Sequence, residues 1–127
     1  MAHNSANIKV AVRVRPVLPS ERDRGINYTQ SLEIVDSHHV RIPYKSNDKQ
    51  YKFDQVFNSD CDQATVFKRT RMDYLIKQVV SGFHATVFVY GQTGSGKTFT
   101  MDGYQYQVNQ RNQQPERGED GLIPRSI

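Results

Sequence analysis

The sequence is poor in cysteine and in long apolar runs, and each shortage excludes a class of protein. Its single cysteine, Cys61, permits no internal disulfide and has no second thiol with which to hold a metal cluster, which is typical of a reducing compartment. The longest apolar run is far shorter than the ~20 residues that a membrane-spanning helix needs. The first residues also lack the charged and then apolar segments of a signal peptide. We therefore expect a cytoplasmic protein without membrane insertion.

Neither sign of charge is in large excess. Lys and Arg together number 17 and Asp and Glu number 13, so that the formal net charge is +4. The basic residues are dispersed, and they do not alternate with aromatic residues as they do in nucleic-acid-binding surfaces. An ordinary solvated surface accounts for this charge, and we expect no nucleic-acid partner.

The pattern of apolar residues predicts short strands followed by a helix, within at most one domain. Residues 8–15 alternate between apolar and polar, as a half-buried strand does. Shorter strands are predicted at 31–35 and 39–42, as a hairpin, and at 51–57. A helix of ~20 residues is predicted from about 62 to 81, with Gly82 as its left-handed C-cap. Residues 1–7 form a polar lead, and the glutamine-rich stretch 104–120 predicts a mobile surface loop.

One stretch carries recognisable chemistry. The run of β-branched and aromatic residues at 85–90 predicts a buried parallel strand, and it leads directly into a match to G-x-x-x-x-G-K-[ST]. The residues of this glycine-rich loop are Gly91, Gln92, Thr93, Gly94, Ser95, Gly96, Lys97 and Thr98.

The positions of this loop have separate physical reasons. Its glycines let backbone N–H groups turn inward and hold phosphate oxygens without a clashing Cβ. Lys97 would reach the β- and γ-phosphates, and the Thr98 hydroxyl would ligate Mg²⁺ in the first turn of a helix whose positive end faces the anion. The loop therefore predicts a nucleotide-binding site, and the alternative interpretation is a flexible Gly/Ser turn.

Four segments of the chain together carry a more specific signal. Residues 12–16 read Val-Arg-Val-Arg-Pro, residues 53–57 read Phe-Asp-Gln-Val-Phe, and residues 121–125 read Gly-Leu-Ile-Pro-Arg. Between them, residues 90–103 read Tyr-Gly-Gln-Thr-Gly-Ser-Gly-Lys-Thr-Phe-Thr-Met-Asp-Gly. In this order the segments resemble the motor domain of kinesins, and the resemblance runs from about residue 8 to residue 127.

The resemblance implies an α/β fold of the P-loop NTPase class, in the form of a partial kinesin motor head whose central mixed sheet is flanked by helices. It also implies an ATP-driven microtubule motor with ATP and Mg²⁺ as ligands, tubulin as partner and a place on the cytoskeleton. In this family the Arg-x-Arg-Pro motif lies beside the adenine. Arg13, Arg15 and Pro16 would therefore contact the base and Phe99 would stack on its other side, which suits a flat heterocycle. From the residues alone, Arg13 and Arg15 could instead be solvated strand residues.

Several parts of the family pattern do not occur in these 127 residues. Kinesins place a Ser-rich switch I and an Asp-Leu-Ala-Gly switch II farther along the chain, followed by microtubule-facing elements, a neck linker and a stalk. In addition, His84 stands where the family most often has Asn, and Val89 where it often has Ala. We therefore expect residues 8–127 to be the N-terminal part of a motor head, with no identifiable catalytic residue, and with microtubule contacts and an oligomeric state that depend on other segments.

Two further hypotheses remain open on the sequence alone. The chain could be a short, non-motile nucleotide-binding or regulatory protein derived from a kinesin head, which should unfold cooperatively as a soluble monomer. It could also be an unrelated P-loop kinase or GTPase, and competition between ATP and GTP would distinguish that case.

Overall fold

The computed structural model describes residues 8–26, 31–44, 47–103 and 119–127. The chain divides into two compact units, Met1–Asp60 and Cys61–Ile127. The predicted polar lead at 1–7 lies outside the described residues, and so does all of the predicted loop at 104–120 except its last two residues. No helix in the described ranges is long and apolar enough to cross a membrane.

The first unit contains two small sheets. Its described strands are β1 (Ala11–Arg13), β2 (Glu33–Ile34), β3 (His39–Ile42), β4 (Lys49–Lys52) and β5 (Gln55–Phe57), and a short helix, α1 (Pro19–Arg22), follows β1. β1 and β5 pair in parallel, whereas β2, β3 and β4 form an antiparallel sheet in that order. The buried apolar side chains of this unit are Val40, Val56 and Phe57.

The predicted hairpin is confirmed, and its turn is stabilised by Asp36. One carboxylate oxygen of Asp36 accepts hydrogen bonds from the main-chain N–H groups of His38, at 2.7 Å, and His39, at 2.9 Å. The bond from the His38 N–H, followed by a hydrogen bond with the His39 side chain, holds the pKa of Asp36 below its ordinary value. Asp is favoured in such turns because its side chain can accept hydrogen bonds from the backbone N–H groups of the residues that follow it.

The other strand predictions are wrong in their lengths. The predicted strand at 8–15 is paired only over Ala11–Arg13, and the predicted strand at 51–57 is divided into β4 and β5. β4 begins at Lys49, two residues before the predicted start of that strand. Asp54 lies between the two strands, where its carboxylate accepts the Val10 N–H at 2.9 Å and its own N–H donates to the Val10 carbonyl at 2.9 Å. The chain changes sheets at this point, because β4 pairs with β3 whereas β5 pairs with β1.

The second unit is helical. Its described helices are α2 (Gln63–Arg69), α3 (Met72–Val80), α4 (Lys97–Met101) and α5 (Leu122–Arg125). α2 packs against α3 and α5, and α4 also packs against α5. The side chains buried here are Gln63, Val66, Met72 and Leu122.

The single long helix predicted from about 62 to 81 is wrong, because the chain breaks between α2 and α3. Arg71 has a left-handed backbone with φ of 60°, which a helix cannot contain. Just before it, the Thr70 hydroxyl donates to the Val66 carbonyl at 2.7 Å and so competes with the helical hydrogen bonds. The N-cap of α2 is Asp62, whose carboxylate accepts from the Thr65 N–H at 2.7 Å. The predicted C-cap is confirmed, since Gly82 has φ of 93°.

The prediction of a buried parallel strand at 85–90 is wrong for this structure. These residues pair with no strand among the described residues, and Phe88 and Tyr90 are 81% and 95% exposed. A parallel strand is buried only when it has neighbouring strands at its edges and helices on its faces. The described strands pair only with one another in the two small sheets, and none of them pairs with this run.

Candidate functional site

The glycine-rich loop at 91–98 has the backbone of an anion-binding loop. Gly94 and Gly96 are both left-handed, with φ of 80° and 92°, whereas Ser95 between them does not share this conformation. The Ser95 N–H donates to the Gln92 carbonyl at 3.1 Å and closes a turn in the loop. Left-handed residues next to ordinary ones turn successive N–H groups to one side, as in the backbone nests that bind anions.

The glycines of this loop are needed for different reasons. A Cβ added at Gly91 would overlap the Ser95 hydroxyl oxygen and would lie 3.2 Å from the Ser95 Cβ. Gly91 therefore allows a close approach across the loop. A Cβ at Gly94 would meet nothing within 4 Å, so that only its positive φ requires glycine.

Lys97 lies at the start of α4 and folds back over the loop. Its ammonium nitrogen donates to the carbonyl oxygens of Gly91, at 2.7 Å, and Gln92, at 2.9 Å. The side chain is only partly exposed, and its charge therefore sits at the beginning of the loop rather than in bulk solvent. A cation held at this place can take phosphate oxygens as stronger, charge-assisted partners.

Thr98 is exposed, and its hydroxyl makes no hydrogen bond among the described residues. Mg²⁺ takes oxygen ligands, together with water and substrate phosphates, and no hydrogen bond to the described residues would have to break for the Thr98 hydroxyl to serve as one. In the described part of the chain, no cluster of three or more His, Cys, Asp or Glu side chains could hold a metal ion.

α4 is held by contacts that the sequence pattern does not indicate. The buried Gln63 side chain donates to the Phe99 carbonyl at 2.5 Å. Gly103 ends the helix with φ of 94° and donates its N–H to the same carbonyl at 3.0 Å. Gln63 and Phe99 are 36 residues apart, and no local signal in the sequence connects them.

The residues that follow α4 form a tight neck, which we define as the contact of Gly103 with Asp120 and Gly121. Gly103 and Asp120 form an antiparallel bridge. A Cβ at Gly103 would lie 2.6 Å from the Gly121 nitrogen, and a Cβ at Gly121 would lie 2.5 Å from the Gly103 nitrogen. The backbones meet so closely that neither position has room for a side chain. Arg125 of α5 adds a bond from its Nε to the Asp120 carbonyl at 2.7 Å.

The residues predicted to contact adenine lie in both units. Arg13 ends β1 in the first unit, where Pro16 is exposed, and Phe99 belongs to α4 in the second unit. The Arg15 guanidinium binds both carboxylate oxygens of Glu21, at 2.7 and 2.5 Å. This hydrogen-bonded pair lowers the pKa of Glu21 to about 2. Contact of Arg13, Arg15, Pro16 and Phe99 with an adenine ring stays a prediction.

These features, a loop with two left-handed glycines and a helix that begins with Lys and Thr, define the class of P-loop proteins. The particular family follows from comparison with known proteins. The family model of the kinesin motor domain matches residues 13–127. The chain belongs to the kinesin motor domain family, which excludes an unrelated P-loop kinase or GTPase.

Several curated proteins are similar to the chain. Kinesin-related protein 13 of Dictyostelium discoideum is 39% identical over 122 residues, which are 95% of this chain and 9% of that protein. Kinesin-like protein KIP1 of Saccharomyces cerevisiae is 41% identical over 108 residues, 80% of this chain and 10% of that protein. Kinesin-like protein KIN-14L of Arabidopsis thaliana is 44% identical over 100 residues, 76% of this chain and 10% of that protein. The chain spans about a tenth of the length of these relatives.

A solved structure of a fast kinesin, described with its ATPase mechanism and its interactions with microtubules, is also similar. The TM-score is 0.75 at 28% sequence identity, and the match covers 94% of this chain and 30% of that chain. The expected α/β fold of a partial kinesin head is thereby confirmed. In the described residues of this chain, the strands form two separate small sheets, one parallel and one antiparallel, in place of one central mixed sheet.

Proposed function

We propose that this chain is the ATP-binding, N-terminal part of a kinesin motor head, and that residues 91–98 bind the phosphates of Mg·ATP. The observation that carries the proposal is the loop itself, in which Gly94 and Gly96 are left-handed and the Lys97 ammonium lies over the first loop residues. Membership of the kinesin motor domain family supports ATP as the nucleotide.

Each kind of group in the loop would make a different contact with the phosphates or with Mg²⁺. The N–H groups that Gly94 and Gly96 turn to one side provide neutral donors. Lys97 would exchange its two carbonyl partners for phosphate oxygens, with which its charge makes stronger hydrogen bonds. Thr98 would contribute its exposed hydroxyl to Mg²⁺, which neutralises charge on the phosphates when it is bound.

The base would be held by residues outside the loop. The resemblance to kinesins supports Arg13, Arg15 and Pro16 as residues that contact adenine, and Phe99 as a residue that stacks on it. Phe99 is 41% exposed, so that part of its ring is available for stacking, and a guanidinium plane also stacks well on a flat ring. These contacts predict a preference for ATP over GTP.

For the protein to which this sequence belongs we propose ATP-driven movement on microtubules and a place on the cytoskeleton. The support is the family and the likeness to a fast kinesin, a protein described with its interactions with microtubules. No observation favours the alternative of a short, non-motile regulatory protein. The apolar run at 85–90 has large exposed side chains, and a stand-alone domain normally covers such a patch.

The experiment that tests the phosphate site is titration of the chain with a fluorescent ATP analogue in the presence of Mg²⁺. Lys97→Ala should weaken binding by at least about tenfold, because a hydrogen bond with a charged partner contributes roughly 1.5–3 kcal/mol. The matched control is Lys77→Ala, which removes an exposed lysine from the last turn of α3, outside the loop, and should leave the affinity unchanged. Equal affinities of the wild type and Lys97→Ala would show that Lys97 does not bind phosphate.

A further inference from the structure

We propose that Gln63 is a positioning residue for the nucleotide site, because its hydrogen bond to α4 holds Lys97 and Thr98 in place. This inference rests on the proposed function of residues 91–98. Gln63 itself lies outside the glycine-rich loop, on the first turn of α2.

The first argument is the burial of Gln63. Its side chain is 3% exposed, although amide side chains are usually at the surface. A buried amide costs free energy unless its polar atoms find partners. Gln63 finds one in the carbonyl of Phe99, to which its Nε2 donates at 2.5 Å. The polar group is therefore placed where it reaches α4.

The second argument is the length of α4. This helix has five residues, and a helix that short is not stable without tertiary contacts. Its first two residues, Lys97 and Thr98, are the ones proposed to bind phosphate and Mg²⁺. Phe99 follows directly, so that a bond to its carbonyl acts on the same turn of backbone.

The third argument is that α2 is a firm support. Asp62 caps the helix through its bond to the Thr65 N–H, and Val66 is buried one turn after Gln63, on the same face. Gln63 therefore links α4 to a helix that is itself capped and packed. Loss of the link should let the first turn of α4 move without unfolding α2.

The test compares two replacements of Gln63 in Mg·ATP binding. Gln63→Met keeps the length and the packing but removes the donor, and it should weaken binding about fivefold, the factor that corresponds to one neutral hydrogen bond. Gln63→Glu places a carboxylate against the Phe99 carbonyl, and burial raises the pKa of such a group. Its protonated form regains an O–H donor. The deficit of Gln63→Glu relative to the wild type should therefore shrink between about pH 8 and about pH 6, which a purely space-filling role would not produce.

The matched control is Lys68→Gly, which lowers the helix propensity of the exposed last turn of α2 and leaves the Asp62 cap and the bond of Gln63 to Phe99 in place. It should lower the stability of the chain by an amount typical of a glycine in a helix without changing the affinity for Mg·ATP. If Lys68→Gly and Gln63→Met weaken binding equally, Gln63 contributes only to the stability of α2 and the proposal is overturned.

A measurement without nucleotide separates this proposal from the proposed function. The N–H groups of Thr100, Asp102 and Gly103 donate to carbonyls of α4 or its N-cap, and their hydrogen exchange reports the opening of this helix. In Gln63→Met these amides should exchange about fivefold faster, whereas Lys68→Gly should leave them unchanged. If the wild type bound no Mg·ATP but showed this exchange pattern, the function would be wrong and the link between α2 and α4 would stand. Unchanged exchange in Gln63→Met would refute the link.

Discussion

Replacement of Gly94 tests whether the conformation of the loop is required for binding. Gly94 has φ of 80° and open space where a methyl group would lie, so that a Cβ there strains the backbone without any clash. An alanine in the left-handed region costs about 1–2 kcal/mol, and part of this is offset because alanine also restricts the unfolded chain. Gly94→Ala should therefore lower the free energy of unfolding by about 1 kcal/mol.

The Gly82 position provides a matched control for this strain. Gly82 has φ of 93° and also has nothing within 4 Å of an added Cβ, but it caps α3 and lies outside the loop. Gly82→Ala should cost a similar free energy of unfolding and should leave nucleotide binding unchanged. Gly94→Ala should weaken the binding of Mg·ATP by about tenfold, because a shift of φ turns N–H groups away from the phosphates.

The assay is urea unfolding of each variant, followed by titration with a fluorescent ATP analogue. Gly94→Asn adds a further check, since asparagine tolerates the left-handed region better than alanine does. It should be more stable than Gly94→Ala at the same position. The reasoning would be refuted if alanine and asparagine cost the same, or if Gly82→Ala weakened nucleotide binding as much as Gly94→Ala.

Two other predictions concern the pH dependence of stability and the metal ligand. The bonds from Arg15 lower the pKa of Glu21 from an ordinary 4.5 to about 2, so the carboxylate stabilises the fold fully above pH 4.5 and loses this effect as the pH falls through about 2. Urea unfolding should therefore show Glu21→Gln less stable than the wild type near neutral pH, with a deficit that shrinks as the pH falls from 4.5 to about 2; a deficit independent of pH would contradict the role of the charge. Thr98→Ala should reduce the gain in ATP affinity that Mg²⁺ produces, whereas Thr98→Ser, which keeps the hydroxyl, should retain it. Isothermal titration with and without Mg²⁺ measures this gain, and an equal gain in both variants would exclude Thr98 as a ligand.

The features that the sequence predicts well are those formed by residues close together in the chain. The turn at Asp36, the left-handed cap at Gly82 and the helix that begins at Lys97 all depend on residues within a few positions of one another. Asp bonds to the backbone of neighbouring residues, and Gly sets the conformation of its own backbone. All the interacting groups therefore lie within one short stretch of sequence.

Features that depend on distant partners could not be predicted in the same way. The bond of Gln63 to Phe99 joins residues 36 positions apart, and the break at Arg71 interrupts a segment whose apolar spacing is helical throughout. The run at 85–90 has the composition of a buried strand, but composition shows only that a segment is suited to burial. Whether it is buried depends on neighbouring strands, and in the described residues no strand pairs with it.

The neck formed by Gly103, Asp120 and Gly121 has a consequence for which positions of this sequence can change. The backbone bridge joins Gly103 to Asp120 directly, and a Cβ added at Gly103 or at Gly121 would lie within 2.6 Å of the nitrogen of the other glycine. A single methyl group at either glycine would therefore push the two backbones apart. Because α4 ends at Met101 and α5 begins at Leu122, such a substitution would move the ends of these two helices away from each other.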